Sequence, residues 1–578
     1  MGGALLVVQL FLLVTTAWDK SDTADEIRYV ASGVTLWATG RFRDLCEAPV
    51  LPKWAFAAAL RSTDPRVARA PASWQETMGF LVDTRTPPEL LRMFFTARLA
   101  TIAATLAAGL LLWRAAARFG TAPGLVALTL WVFSPTVLAN GSLATLDAWA
   151  AASVCALVLA GVRFYEKPSG VRAAVLGFVS GSMAATKVPA LLIVPIGLGL
   201  AVAFGRRGAL GRLSRRALAA RAAVVAGVAM TTLWGLYGFT VGGIDAADPC
   251  SFAAAAEPAL GGAWPFPAWF EGLLFQLRHA AGGHANYLLG QTSSEGWWFF
   301  YLVALALKTT LAVQALVALR LAAAWWLARR GDAVDWRLDA ALLAFPATLL
   351  ALMSAGRHQP NVGFLLPAFP LAMMWLARGF ALVARAFGPV GRLAFVGLLL
   401  AGATESVAVH PHHLMFYNAW AGGPVGGPRY LIHREDWGQD KRRLAQWQRV
   451  HGIDSLYYAP YGPNPERWGI VFEPVPCTPR VGVYALHAVE VHRPRFGLRP
   501  GCADWLTVEP PDERIGFSIY VYRVDRDRLV RLAREARDAA VEPFWRSGSR
   551  AGSPPRSAPG AAPRPSASPT AGRAAGAS

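Results

Sequence analysis

Long apolar blocks alternate with short polar connections along the first 409 residues of the chain. Most blocks are about 17–25 residues long, the length of a helix that crosses a bilayer, and they predict a polytopic α-helical membrane protein with about eleven spans. The first block is short and lacks a basic start, so it is either a retained span or a cleaved signal peptide. The predicted spans lie near residues 3–18, 94–113, 122–139, 143–162, 172–186, 188–204, 220–240, 297–323, 338–354, 361–384 and 391–409.

Basic residues gather in every second connection between these blocks. Because basic loops stay in the cytoplasm, the long segments 19–93, 241–296 and 410–578 are expected outside it, as in a bacterial inner-membrane protein. The basic connections contain Arg114, Arg118, Arg163, Lys167, Arg172, Arg206, Arg207, Arg212, Arg215, Arg216, Arg221, Arg329, Arg330, Arg337, Arg385 and Arg392.

The segment that follows the first span predicts a helix of another kind. Four apolar residues recur there at helical spacing on one stripe, namely Ile27, Val30, Val34 and Trp37. Such an amphipathic helix is expected to lie along the membrane surface. Asp25 would stand at its N-terminal end, where the helix dipole keeps a carboxylate ionised. Asp19 and Asp22 precede the helix and are expected in a flexible, solvated linker.

The pattern changes after residue 409, where short β-rich runs alternate with Pro and Gly turns. It predicts a small α/β or α+β domain over residues 410–544. Cys477 and Cys502 both fall in this domain and form a candidate disulfide if the compartment is oxidising. Residues 545–578 are rich in Pro, Ala, Ser and Gly and are expected to form a disordered tail. The β-rich runs are 455–462, 480–491 and 516–524.

Composition excludes two other classes of protein. Of the 578 residues, 54% are hydrophobic and 16% are charged, which is too apolar for a soluble protein of this size. The net charge of +19 would suit a nucleic-acid binder, but the arginines lie in the connections between spans, so no nucleic-acid partner is expected. The five cysteines form no CxxC pair, which excludes the usual zinc-ribbon spacing.

Ionisable residues collect at the predicted outer boundary of the membrane. Asp25 and Glu26 follow the first span, Glu47 lies in "RDLCEAPVLPKW", Asp147 opens a predicted span, and Lys187 occupies an outer turn. Charged groups at membrane depth are costly and mark function, and a lysine outside departs from the positive-inside trend. Two ordinary explanations remain open: the acids only solvate loops, or the lysine only extends to the interface.

Carboxylates beside one interfacial cation suit the transfer of a sugar from a lipid phosphate. The cation holds the phosphate as it leaves, and a carboxylate removes the proton of the attacking hydroxyl. The sequence has no Walker-type or GxGxxG phosphate loop, so a soluble nucleotide donor is not expected.

The order of these motifs resembles the GT-C glycosyltransferases, specifically glycosyltransferase family 39, the protein O-mannosyltransferases and their aminoarabinose-transferase relatives. The resemblance covers nearly the whole chain up to the tail. The matching elements are "DE" after the first span, "EAPVLPKW", "SPTVLANGSLATLDAWAAA", "GSMAATKVPALL", "NYLLGQTSSEGWWFFYLVALALKTTL" (286–311), "GRHQPNVGFLLPAFP" (356–370), "FYNAWAGGPVGGPRYLIHREDWGQDKRRLAQW" (416–447) and "IGFSIYVYRV" (515–524).

The resemblance implies a polyprenyl-phosphate sugar as the donor and a catalytic acid in the first external loop. Asp25 matches the acid thought to act as the base, and Glu26 lies beside it. Asp147 and Lys187 match the second acid and the phosphate-binding lysine of the family.

Further correspondences are weaker. Glu47 matches the acid of a Glu-Lys-Pro-Pro element that helps to bind a metal in the aminoarabinose branch, but this chain reads Glu-Ala-Pro-Val. His284 lies where relatives carry an external histidine, and it is either a metal ligand or a solvated loop residue. Arg357 is either a second phosphate clamp or a structural loop residue. A divalent metal is therefore a candidate cofactor, and no other cofactor is expected.

The "DWGQD" segment is open to two interpretations. Asp436, Trp437 and Gln439 either contact the acceptor or cap the helix that follows, with Asp436 as the N-cap, and capping is favoured. Bacterial relatives often carry Asn-Leu before this segment, whereas this chain carries Arg434 and Glu435.

These observations predict an inner-membrane glycosyltransferase that transfers a sugar outside the cytoplasm, with inversion at the anomeric carbon. Its partners would be membrane lipid, the polyprenyl-phosphate donor, and a protein, lipid or polysaccharide acceptor. The alternatives are a transporter or flippase for a lipid-linked glycan, and an envelope-assembly scaffold with a degenerate site. A transporter would favour broken helices and charges near the bilayer midplane, whereas here the charges lie at its outer boundary.

Overall fold

The chain folds into a bundle of long helices followed by a small mixed sheet. The predicted span 188–204, apart from residue 197, and the tail 545–578 lie outside the described residues. The computed structural model describes residues 1–187, 197, 213–245, 260–493 and 498–541.

Helices make up most of the described chain before residue 410. They are α1 (Gly2–Asp19), α2 (Glu26–Thr39), α3 (Val50–Arg61), α4 (Trp74–Asp83), α5 (Pro87–Ala116), α6 (Thr121–Val132), α7 (Pro135–Gly141), α8 (Asp147–Glu166), α9 (Gly170–Ala184), α10 (Arg215–Leu236), α11 (Pro267–Gly282), α12 (Phe300–Lys308), α13 (Leu311–Arg329), α14 (Trp336–Ala355) and α15 (Phe369–Val407). Two antiparallel strand pairs interrupt them, β1 (Val241–Ile244) with β2 (Leu260–Pro265) and β3 (Asn286–Leu288) with β4 (Gln291–Ser293).

Seven of the described helical segments are long and apolar enough to cross a membrane, or eight if the pair α6 and α7, bent by 60°, forms one span. The prediction of a multi-pass helical membrane protein is therefore confirmed. The number of spans differs from the predicted eleven for three reasons. One predicted span lies outside the described residues, α9 has only 15 residues, and the predicted spans 361–384 and 391–409 lie in one continuous helical segment. The seven segments contain α1, α5, α8, α10, α13, α14 and α15.

Helix α15 contains a break at Gly388. A straight helix of its 39 residues would be about 58 Å long, nearly twice the thickness of the hydrocarbon core. Gly388 has a φ of 60° and a ψ of −145°, and Pro389 follows it. The break divides α15 into two helices, at the boundary expected between the spans 361–384 and 391–409.

The first helix is packed into the bundle. Leu13 and Ala17 of α1 are buried in one cluster with Ile102 of α5 and Leu138 of α7. Helix α1 is therefore part of the bundle.

The long connection between α1 and α5 folds into α2, α3 and α4. Ile27, Val30 and Val34 are fully buried, as the predicted stripe requires, but Trp37 is 42% exposed. The buried face packs on α3 and α4. A Cβ at Gly33 would lie 2.5 Å from the carbonyl oxygen of Lys53, so a glycine is needed for the close crossing of α2 and α3.

The prediction of a flexible, solvated linker before α2 is wrong. Asp22 is only 3% exposed; its carboxylate accepts a hydrogen bond from Nε1 of Trp468 at 2.8 Å and pairs with Lys441 at 2.9 Å. Asp19 pairs with Arg443 at 2.7 Å. Both acids therefore anchor the C-terminal region to the end of the first span.

The C-terminal region forms a five-stranded sheet in the order β6-β5-β7-β9-β8, so the predicted small mixed domain is confirmed. Strands β5 and β6 and strands β5 and β7 pair in parallel, whereas β9 is antiparallel to both of its neighbours. The three predicted β-rich runs contain β5, β7 and β9; β6 and β8 were not predicted because each has only three residues. The strands are β5 (Leu456–Ala459), β6 (Phe472–Pro474), β7 (Gly482–His487), β8 (Glu513–Ile515) and β9 (Ile519–Val524).

Short helices surround this sheet, and Cys477 and Cys502 form a disulfide beside it, with Cα atoms 4.2 Å apart. The helices are α16 (Gly423–Gly426), α17 (Lys441–Val450), α18 (Ala488–His492), α19 (Asp504–Thr507) and α20 (Arg526–Val541).

Candidate active site

A cleft of about 170 Å³ opens where α2 and α8 begin and where the chain leaves α9. Five of the predicted site residues line it, namely Asp25, Glu47, Asp147, Lys187 and, from the C-terminal region, Trp437. The cleft is lined by Asp25, Arg28, Tyr29, Glu47, Ala48, Pro49, Thr145, Leu146, Asp147, Lys187, Phe275, Gln276, His279, His358, Phe364, Arg434 and Trp437.

Asp25 occupies the N-cap position of α2, as the sequence predicts, but its side chain makes no capping hydrogen bond. The carboxylate instead accepts a hydrogen bond from Nη2 of Arg434 at 2.9 Å. Nη1 of Arg28 lies 3.7 Å from its other oxygen. Burial raises the pKa of the neighbouring Tyr29 hydroxyl, so this phenol stays neutral beside the acid. Asp25 is therefore a charged group inside the cleft with two cationic partners.

Glu26 does not line the cleft, and the geometry does not support its predicted catalytic role. Its two oxygens accept hydrogen bonds from the Arg98 guanidinium at 2.7 and 2.8 Å. The backbone N–H groups of Thr23 and Ala144 also donate to them, at 2.9 and 2.7 Å. Arg98 and Glu26 are both fully buried. The pair joins α2 to α5 and to the loop before α8. It therefore fixes the starts of α2 and α8, which border the cleft.

Asp147 and Lys187 form an ion pair inside the cleft. Asp147 is the first residue of α8, where an acid is favoured by the helix dipole. Lys187 follows α9, and its ammonium group also lies 4.1 Å from the ring centre of Phe364. The second predicted acid and the predicted phosphate-binding lysine are thus brought together, 40 residues apart in sequence.

Arg434 lines the cleft, although the sequence analysis assigns it no role there. Its side chain is only 16% exposed, and its guanidinium lies 4.6 Å from the ring of Trp437 and 5.1 Å from the ring of Phe364. Burial lowers its pKa, but the negative charges of Asp25 and Asp147 outweigh burial and raise it. The only signal in the sequence was a departure from the family pattern, which favoured a degenerate site.

The predicted phosphate clamp Arg357 lies outside the cleft. Its side chain is 51% exposed and pairs with the exposed Glu295 at 2.9 Å. A surface pair of this kind contributes little to binding or stability. Arg357 therefore lies in an exposed surface pair, apart from the acids and cations of the cleft.

Three histidines stand at one edge of the cleft. Nitrogen atoms of His279, His284 and His358 lie within 4.8 Å of one another, so the predicted candidate His284 has two imidazole neighbours. Glu47 lies beside them and pairs with Arg28 at 3.3 Å. Burial lowers the pKa of His279, and burial and nearby positive charge lower the pKa of His358 to about 2. Both rings are therefore neutral near pH 7, the form that binds metals.

The "DWGQD" segment has a structural role that neither interpretation predicted. Asp436 does not cap α17, which begins at Lys441, and it does not line the cleft. Its buried carboxylate accepts hydrogen bonds from His487 and from the backbone N–H of Val489. Gln439 is also buried and bonds within its own loop, to Trp437 and Glu435. Of the three predicted acceptor-side residues, only Trp437 lines the cleft.

A larger cavity of about 440 Å³ lies among α6, α12, α13, α14 and α15. Its lining is mainly apolar, and Lys308 is its one charged lining residue among the described residues. This cavity offers no acid–base pair and suits hydrocarbon. The predicted acids Asp25 and Asp147 and the predicted cation Lys187 line the smaller cleft instead.

Comparison with solved structures finds likenesses over most of the chain. ArnT from Cupriavidus metallidurans bound to undecaprenyl phosphate has a TM-score of 0.45 and 14% sequence identity, covering 90% of this chain and 97% of that chain. ArnT in the apo state covers the same shares with 13% identity and a TM-score of 0.45. The apo oligosaccharyltransferase of Archaeoglobus fulgidus has a TM-score of 0.41 and 12% identity, covering 78% of this chain and 58% of that chain.

No protein-family model and no curated protein matches the sequence. With TM-scores below 0.5 and identities of 12–14%, the activity has to be inferred from the residues of the cleft.

Proposed function

We propose that this protein is a membrane glycosyltransferase that moves a sugar from a polyprenyl phosphate to an acceptor hydroxyl. One observation carries the proposal: two carboxylates and two cations meet in one cleft, as the pairs Asp25–Arg434 and Asp147–Lys187. A base for the acceptor and cations for a phosphate are the groups this reaction needs. The cleft lies at the ends of apolar helices, where a lipid-linked phosphate would be presented.

In the proposed step, Asp25 is the general base. It accepts the proton of the acceptor hydroxyl while the hydroxyl oxygen attacks the anomeric carbon of the sugar. The bond from that carbon to the phosphate oxygen breaks, and its electron pair leaves with the phosphate. The products are the glycosylated acceptor, polyprenyl phosphate and protonated Asp25, which returns its proton to solvent. One in-line displacement inverts the anomeric carbon.

Lys187 is placed to stabilise the leaving group. The phosphate carries one negative charge as a diester and gains a second as the bond to the sugar breaks. A cation fixed beside the developing charge stabilises the transition state more than the ground state. Asp147 holds the ammonium of Lys187, and the ring of Phe364 lies beneath it, so both residues orient the cation.

Lys187→Ala is expected to lower kcat/KM for the donor by roughly 10–100-fold, because charge-assisted bonds to the phosphate are lost. Lys187→Arg should keep part of the activity, since it keeps the charge but changes the geometry. The measurement is transfer of labelled sugar from a polyprenyl phosphate by purified protein. Lys167→Ala, which removes an exposed lysine at the far end of α8, is the matched control.

Two outcomes of this assay have different meanings. Unchanged donor kinetics in Lys187→Ala would contradict the phosphate role and leave the lysine as an interfacial residue. Absence of any label transfer by the wild-type protein would contradict the proposal that this protein is a glycosyltransferase and would favour a flippase or a scaffold.

We also propose that His279, His284 and His358 hold a divalent metal. Three imidazoles whose nitrogen atoms lie within 4.8 Å of one another fit the nitrogen ligand set of a zinc-like ion, and the negative charge of Glu47 acts on His279. Such an ion would add positive charge at the edge of the cleft.

The metal proposal predicts about one tightly bound zinc per chain after dialysis, measured by elemental analysis of purified protein. His284→Ala should lose most of it, whereas His451→Ala, a change at an exposed histidine, should keep it. Equal metal content in the two variants would refute the site. The readout does not depend on activity.

We infer that the cleft faces away from the cytoplasm of a bacterial cell. Asp147 starts α8 at the cleft, whereas Arg163 lies in the last turn of the same helix, as Arg114 does in α5. The basic ends are those expected in the cytoplasm.

Reporter fusions test this orientation directly. A fusion after Gly331, in the turn between α13 and α14, should report a cytoplasmic position. A fusion after Gly452, in the C-terminal domain, should report an external one. The reverse pattern would place the cleft in the cytoplasm and contradict a donor used outside it.

A further inference from the structure

We propose that Arg434 holds Asp25 in an ion pair until the donor binds, and then exchanges this carboxylate for the phosphate of the donor. The exchange frees an oxygen of Asp25 to accept the proton of the acceptor. It depends on the proposed transfer reaction, because it requires a phosphate in the cleft. Arg434 is thus a donor-contacting residue that also switches the base on.

The first support is the state of Asp25. Both of its oxygens face guanidinium groups, Arg434 at 2.9 Å and Arg28 at 3.7 Å. The hydrogen bond from Arg434 occupies a lone pair of one carboxylate oxygen. A general base needs a free lone pair directed at its proton donor. The oxygen of Asp25 that Arg434 holds is therefore free to accept a proton only when Arg434 moves away.

The second support is the placement of the two cations. Both Arg434 and Lys187 contact the ring of Phe364, at 5.1 and 4.1 Å, and each is paired with a carboxylate, Asp25 or Asp147. The charges of the cleft thus compensate one another without a donor. A phosphate near this ring can reach both cations. A guanidinium has five donors and binds phosphate as a fork, so Arg434 can exchange one oxyanion for another.

The third support is the rigidity of the backbone that carries Arg434. The next residue, Glu435, is buried and accepts a hydrogen bond from the backbone N–H of His433 at 2.9 Å. Asp436 is fixed to His487 of β7 at 2.8 Å. Trp437 provides a flat surface for the guanidinium at 4.6 Å. The exchange therefore needs movement of one side chain over a fixed support.

The test is a binding cycle with undecaprenyl phosphate as the probe, using the purified full-length protein. Asp25→Asn removes the competitor of the phosphate, so it should bind the probe on the order of tenfold more tightly than the wild type. Arg434→Gln should bind roughly 10–100-fold more weakly. The gain from Asp25→Asn should disappear in the double variant, because Arg434 is the group that Asp25 releases.

Three controls separate this exchange from a general effect of charge. Glu47→Gln removes a carboxylate of the same cleft that pairs with Arg28 and not with Arg434. Any gain in probe affinity that Glu47→Gln causes should therefore also be seen when it is combined with Arg434→Gln. Arg467→Gln breaks an exposed pair with Asp83, 2.7 Å long, and should leave probe binding unchanged. Arg434→Lys keeps the charge without the fork and should bind with intermediate affinity.

The outcomes distinguish this inference from the function on which it depends. If the wild-type protein does not bind the probe, the proposed transfer reaction and the exchange both fail. If the wild type binds the probe but Asp25→Asn binds it no more tightly, the exchange is overturned and the transfer reaction stands. The exchange is also overturned, and the transfer reaction stands, if Asp25→Asn still increases probe affinity in the double variant with Arg434→Gln. Should Arg434→Gln fail to fold, the probe affinities of Asp25→Asn and Arg434→Lys still test the exchange.

Discussion

Asp25→Asn is expected to lower the rate of sugar transfer by about 10²–10⁴-fold, the usual cost of a lost general base, and to leave the protein folded. The amide keeps the size of the carboxylate and its place at the N-cap of α2, but it cannot take up the acceptor's proton. Its two partners, Arg28 and Arg434, remain half-buried at the cleft, where water and donor reach them. The loss should therefore appear in kcat.

The measurement is single-turnover transfer from a defined labelled donor, with expression and monodispersity recorded for each variant. Asp83→Asn is the matched control, because Asp83 lies in the same connection between α1 and α5 and pairs with an arginine of the C-terminal region, Arg467, but is exposed. Asp22 is unsuitable as a control because it is buried and anchors the C-terminal region. Equal rates in Asp25→Asn and wild type would show that this carboxylate only solvates a loop.

Glu26→Ala is expected to lower the free energy of unfolding by about 3–5 kcal/mol, because it leaves a fully buried guanidinium without its carboxylate. Four hydrogen bonds to Glu26 would be lost, two from Arg98 and one each from the backbone of Thr23 and Ala144. Substitution of Asp25 should thus impair catalysis, whereas substitution of the adjacent Glu26 should impair folding.

The measurement is the midpoint of thermal unfolding of the detergent-solubilised protein, compared with that of Asp25→Asn. Asp83→Asn, which breaks an exposed pair, should cost about 0–1 kcal/mol. Replacing both partners with apolar residues, as Glu26→Leu with Arg98→Met, should recover part of the loss, since no buried charge remains unpaired. A normal unfolding midpoint together with a catalytic defect in Glu26→Ala would instead indicate that Glu26 takes part in the reaction.

Local patterns in the sequence predicted much of the fold. Hydropathy located the long helices, because the length of an apolar block reflects the thickness of a bilayer. Period-3.6 spacing located α2 and its start after Asp25, and β-rich runs located three of the five strands of the sheet. The positions of Asp147 and Lys187 at span ends followed from the same hydropathy. These are properties of neighbouring residues, so a single chain displays them.

Which residues meet in the cleft was decided by the tertiary structure. Asp25 and Glu26 are adjacent in sequence, yet one residue of helix is a rotation of about 100°, enough to turn one side chain to the cleft and the other to Arg98. Arg434 reaches Asp25 across 409 residues, and Lys441 reaches Asp22 from a similar distance in the chain. His279 and His358 join His284 only where separate connections pack together. Hydropathy and periodicity carry no information about such distant partners, because packing of whole helices brings them together.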